Sequence, residues 1–198
     1  MRMERCTCIL LAALTVLTLS PITFAQDGKM GDDEKAMMDA MIKAGTPGAP
    51  HKLLESLVGS WTVEGKIWMN PDQPPMDFQG KSVMKTILGG RFLQEDYEAN
   101  LMGPFHGLGL TGYDNVKKVF VSTWIDSMTT SIITLTGTYD AATKTFTYSG
   151  EVEDPVQGQK TMRITMRWAD DKTHVSEFFE PNPEGTFVKT MEMTYKRS

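Results

Sequence analysis

Leu110-Thr111-Gly112-Tyr113-Asp114, followed by Lys118 and Phe120, returns later as Leu135-Thr136-Gly137-Thr138-Tyr139-Asp140, followed by Lys144 and Phe146. The shared core is Tyr-Asp-x-x-x-Lys-x-Phe. In each copy an alternating run ends on an Asp, whose carboxylate bonds nearby backbone amides and turns the chain. The chain then leaves as a new alternating run, so the unit is a hairpin. Two copies are too few for a propeller or a solenoid. They fit a meander in which each strand pairs with the next.

Reading outward, ten strand-like runs follow one another at approximately 60–69, 77–88, 91–102, 105–114, 117–126, 130–139, 143–153, 159–169, 173–180 and 185–196. Most alternate at period two. Met162, Ile164, Met166 and Trp168 alternate with Thr161, Arg163, Thr165 and Arg167. Phe146, Tyr148, Gly150 and Val152 alternate with Thr145, Thr147, Ser149 and Glu151. The breaks are short and rich in Gly, Pro, Asn and Asp. Parallel neighbours need crossovers of about a dozen residues or more, and none is available, so neighbours are antiparallel. Ten such strands exceed a comfortable open sheet, and closure removes the exposed edges. The expected fold is all-β, an antiparallel up-and-down barrel of about ten strands with a short N-terminal helical segment. A two-sheet sandwich is the alternative.

Three segments are expected. Residues 1–25 read as a signal peptide, with Arg2 and Arg5, an apolar run from Ile9 to Leu19, and small residues before Gln26. That run is too short for the roughly 20 residues of a membrane span. Residues 26–47 form a polar extension with a short helix through Ala36 to Lys43, and residues 48–198 form the barrel domain. Met37, Met38 and Met41 share one side of that helix, and the expectation is that they pack on the barrel body. Cys6 and Cys8 are the sole cysteines, so the mature chain has no disulfide and no thiolate chemistry. Its core alone must hold it.

The formal charge is −5 and the basic residues form no cluster, which argues against nucleic acid as a partner. No Gly-x-Ser-x-Gly elbow occurs, and no catalytic residue set is assigned. Gly107-Leu108-Gly109-Leu110-Thr111-Gly112 spells a dinucleotide fingerprint, but a strand follows it where that site requires a helix. In a barrel, such glycines relieve crowding where the sheet bends. His51, His106 and His174 are too scattered for a zinc site. A strand histidine can ligate haem, as in the barrels called nitrobindins, yet a lone one is more often exposed or hydrogen-bonded. No metal and no cofactor are expected.

Gly59-Ser60-Trp61, opening the first strand after a helical turn, resembles the start of the calycin superfamily, where the Trp plugs one barrel end. A wider pattern runs through His51-Lys52-x-Leu54-x-x-Leu57-Val58-Gly59-x-Trp61, Gly89-Gly90-Arg91-Phe92-Leu93, Gly107-x-Gly109-x-x-Gly112-Tyr113-Asp114-Asn115 and Trp124-Ile125-Asp126-Ser127-Met128. Together these resemble the bacterial DUF1579 family from about Lys35 to Arg197. The resemblance implies a lipocalin-like barrel and carries no reaction or ligand with it.

The expected function is therefore binding of a small hydrophobic or amphipathic molecule. Trp61, Tyr113, Trp124, Tyr148, Trp168 and Phe179 are the candidate aromatic lining. Arg163 or Arg167 would meet a ligand carboxylate. An enzyme using Glu95 or Glu177 for proton transfer is the second reading, and a solid interaction barrel the third. A continuous cavity separates the first two from the third, and a carboxylate facing into it favours the second. Export predicts a processed chain: expressed with its native N-terminus in an exporting host, the protein should have the intact mass of a chain beginning at Gln26. An uncut mass would sink the signal-peptide assignment.

Overall fold

The computed structural model describes residues 31–70, 73–156 and 158–198. The expected signal peptide and the first residues of the extension lie outside them. Two helices, α1 (Asp32–Gly45) and α2 (Ala49–Glu55), precede ten strands. These are β1 (Gly59–Ile67), β2 (Met76–Ile87), β3 (Phe92–Asn100), β4 (Pro104–Asp114), β5 (Val119–Asp126), β6 (Ile133–Asp140), β7 (Thr145–Asp154), β8 (Gly158–Asp170), β9 (Thr173–Pro181) and β10 (Phe187–Arg197). Each strand pairs antiparallel with the next, and β1 pairs with β10, so the sheet is a closed barrel. The up-and-down fold read from the alternation is the fold observed.

The repeated hairpin has one local cause in both copies. Asp114 Oδ1 accepts the amides of Val116 at 2.8 Å and Lys117 at 2.9 Å. Asp140 accepts the Ala142 amide at 2.9 Å and the Thr143 hydroxyl at 2.7 Å. The Lys that ends each turn is left-handed, with φ of 59° at Lys118 and 52° at Lys144. The repeat is thus two turns that demand the same unfavourable backbone state at the same place.

One barrel end is plugged. α2 lies over it, and Leu54, Leu57, Trp61, Phe120 and Phe146 fill it, none more than 5% exposed. The indole of Trp61 donates to the Leu57 carbonyl at 3.0 Å, tying the helical turn to the first strand. His51 caps the start of α2 by accepting the Gly48 amide at 3.0 Å. Arg197, at the end of β10, donates to the Ser56 carbonyl at 2.8 Å and lies 4.2 Å over the Trp61 ring.

α1 corrects one expectation. None of its residues is buried, and Met37, Met38 and Met41 are 61%, 45% and 64% exposed. Its C-terminal end is held to the barrel through Asn115, which donates to the carbonyls of Ala44 and Thr46. Helical spacing fixes which side a stripe occupies and says nothing of what covers it.

Replacing Lys144 by Gly removes the left-handed penalty, against a larger entropy loss on folding, and should raise stability by about 0.5 kcal/mol. Lys144→Val should lower it by about 1 kcal/mol or more. Chemical denaturation of the two variants checks this, and equal effects would refute the strain assignment.

Candidate functional site

Above the plug the barrel encloses a cavity of about 400 Å³. Its lining near α2 is fully buried, as at Leu57 and Leu93. The lining at the far end, at Ile67, Leu101, Phe105, Ile133 and Met191, is half-buried. This gradient places the mouth opposite α2. Met69, Met102, Met128 and Ile132, each at least 60% exposed, stand in the loops at that end.

The rings reach the wall because the neighbouring strand gives way. A Cβ on Gly107 would lie 2.1 Å from the Trp124 ring, and one on Gly65 would lie 2.0 Å from the Phe78 ring. Gly137 makes the same room for Tyr148. The glycines that spell a nucleotide motif in sequence are therefore seats for aromatic rings. The barrel needs them for close packing rather than at bends alone.

Among the described residues two carboxyl groups line the cavity, Glu95 and Asp126, and no Lys or Arg does. Asp126 is spoken for: it accepts the Trp124 indole at 3.1 Å and the amides of Met128 and Thr129 at 2.9 and 3.0 Å. That explains the Trp-Ile-Asp-Ser-Met stretch as a turn that clamps a ring. Glu95 is different. Its Oε1 accepts Ser82 Oγ at 2.7 Å and Tyr195 OH at 3.4 Å. Glu95 lines the cavity, and among the described residues its Oε2 has no hydrogen-bond partner. Protein surrounds this carboxyl, and the loss of water pushes its pKa up against the two hydrogen bonds.

His174 is 2% exposed, and neither ring nitrogen has a hydrogen-bond partner among the described residues. Its ring stacks on Tyr195 at 4.3 Å, with Trp61 and Trp168 at 4.8 and 5.5 Å. Desolvation, helped by the Arg197 charge, lowers its pKa to about 3. The expectation that this strand histidine is exposed or hydrogen-bonded does not hold. Both nitrogens are sealed off, so a haem iron reaches neither without displacing a ring. His106 is exposed and pairs with Asp96 at 2.8 Å.

Of the aromatic candidates, Trp124 and Tyr148 line the cavity. Trp61 and Trp168 instead pack with His174. Tyr113 lies between His51 and Phe120 under α2, with centroids at 6.0 and 4.9 Å. Phe179 and Arg163 face outward. On β9 the cavity-lining residues are His174, Ser176 and Phe178, so Val175, Glu177 and Phe179 take the outer face. Arg163 is exposed, its guanidinium 4.2 Å over the Phe187 ring, and Arg167 is exposed as well. Glu177 bonds Lys189 on the outside at 3.0 Å. Tyr97, Leu135, His174, Met193 and Tyr195 line the cavity without having been singled out as lining residues. The phase of Leu93, Glu95 and Tyr97 on β3 carried the signal for that strand.

The His174 geometry has a pH consequence. A buried neutral histidine stabilises fully above its unfolded pKa of about 6.5, and that contribution is lost as pH falls toward about 3. His174→Phe should remove this acid-side loss. Relative to wild type, the variant should gain about 2.5 kcal/mol between pH 7.5 and 4.5, and a constant difference across that window would refute the burial argument.

Comparison with solved structures finds the crystal structure of Rv2717c from M. tuberculosis, 14% identical, with a TM-score of 0.58 over 77% of this chain and 99% of that one. At that identity the likeness shows the fold. A comparison with curated proteins gives no match. The family profile described as "Protein of unknown function (DUF1579)" matches residues 46–197, from the turn before α2 to the last strand, and the chain belongs to that family.

Proposed function

We propose that the barrel binds a small hydrophobic or amphipathic molecule in its cavity, in the compartment to which the signal peptide delivers it. The observation that carries this reading is the enclosed space of about 400 Å³, walled by Leu, Ile, Met and aromatic side chains and interrupted by few polar groups. That is the size and chemistry of a small-ligand site. A solid interaction barrel would have filled this volume, since interiors pack to crystal density.

A second reading has its own support. Glu95 is a cavity-lining carboxyl with a raised pKa, which suits general acid or base chemistry. The two readings differ in the fate of the ligand. A binding protein returns the bound molecule unchanged, whereas an enzyme returns a product.

Ile164 points into the cavity from β8, and Ile164→Trp would fill it. Nile red, a neutral apolar dye, should bind the wild type and lose about tenfold or more affinity in this variant. Far-ultraviolet circular dichroism should remain that of a barrel. Failure of Nile red and of a panel of neutral lipids to bind the wild type would overturn the proposal.

A further inference from the structure

We infer that the cavity selects a hydrophobic ammonium ligand, whose charged nitrogen pairs with Glu95 Oε2 while its apolar body occupies the space toward the mouth. The inference rests on the binding reading above and names its ligand class.

The first support is charge. A carboxyl enclosed by protein is costly unless paired. Among the described residues no Lys or Arg lines the cavity. Arg163 and Arg167, on the adjacent register positions of β8, point outward. The one remaining ionisable base in the wall, His174, is sealed and held neutral. The protein supplies no cation to Glu95, whose charge burial disfavours, so an ammonium on the ligand would be its one ion-pair partner in the cavity. A ligand carboxylate would meet Glu95 and Asp126 with nothing to offset them.

The second support is the placement of Glu95. Ser82 and Tyr195 both donate to Oε1. Two donors on one oxygen oppose the rise that burial imposes on this carboxyl without cancelling it, and an ammonium on the ligand would draw the group into its ionised form. Gly109 is the register partner of Glu95 on β4. A Cβ there would lie 3.3 Å from Glu95 Cβ and 3.4 Å from the Trp124 ring. With no side chain there, the Trp124 ring and the stem of Glu95 both pack on Gly109. Tyr97, two residues along β3, has its ring centroid 6.1 Å from that of Trp124. A carboxyl that shares a cavity wall with Trp and Tyr rings is the chemistry that recognises ammonium, by ion pairing and by cation–π attraction.

Calorimetric titration of the mature chain with decylamine, decanol and decanoate, alongside Nile red, tests the inference. Decylamine should bind about tenfold or more tighter than decanol, as expected for a hydrogen bond to a charged group, with decanoate weakest. Glu95→Gln should erase the preference for the amine and leave decanol binding near its wild-type level. The wild-type series decides the point even if that variant is unstable. Equal affinity for amine and alcohol would overturn the ammonium assignment while the binding reading stands. A preference that survives Glu95→Gln would overturn the role of Glu95. Failure of Nile red and all three decyl ligands to bind would remove the binding reading and this inference with it.

Discussion

The structure depends on the pairing of β1 with β10. Trp61 through Ile67 face Arg197 through Met191 in unbroken antiparallel register. Without that ladder the ten strands are an open sheet with two unsatisfied edges and a solvated inner face. With it, the inner face becomes an interior. The same seam carries the fastening of the plug: Trp61 bonds back to Leu57, and Arg197 reaches across to Ser56 and lies on the Trp61 ring. Ring, helix and closing strand hold one another, and the closed end they make turns the lumen into a pocket with one mouth.

Within that interior the polar groups divide into two kinds. Asp126, Thr111 and Ser122 are satisfied by the barrel itself; Thr111 and Ser122 lie 2.9 Å apart. Glu95, Tyr97 and His174 are not. Among the described residues the Tyr97 hydroxyl, both His174 nitrogens and Glu95 Oε2 have no hydrogen-bond partner. A barrel tuned for stability alone would fill these positions with Leu or Phe. Uncompensated polar groups at a cavity wall are where local rules are broken for function.

The fold was legible because alternation and turn chemistry are local. Asp114 and Asp140 announce their hairpins without reference to the rest of the chain. The site was legible only where the phase of a strand was unambiguous. On β3, Leu93, Glu95 and Tyr97 share a face, and that face is the inner one. On β9, Phe178 and Phe179 are adjacent aromatics, and nothing local says which one points inward. On β10, Phe187, Met191 and Met193 have the same parity, yet the register shifts between Lys189 and Met191. That irregularity turns Phe187 outward to Arg163 and Met191 inward. Arg163 fell on the wrong side of an expectation about ligands, not about strands: its alternation with Met162 and Ile164 already placed it opposite them. The exposed methionines of α1 show the same limit, since a stripe has a direction but no stated partner.

The up-and-down order also bears on how the protein acquires its pocket in time. Nine of the ten seams join neighbours in sequence and close short loops. The tenth joins residues such as Thr62 and Lys196, separated by 134 positions. Chain entropy opposes that contact most, and it forms once the local hairpins have shortened the effective loop. The last strand is the closing strand, so a growing or truncated chain can hold hairpins yet no cavity. The pocket is then a property of the completed chain alone, and occupancy of the lumen reports the final step of folding.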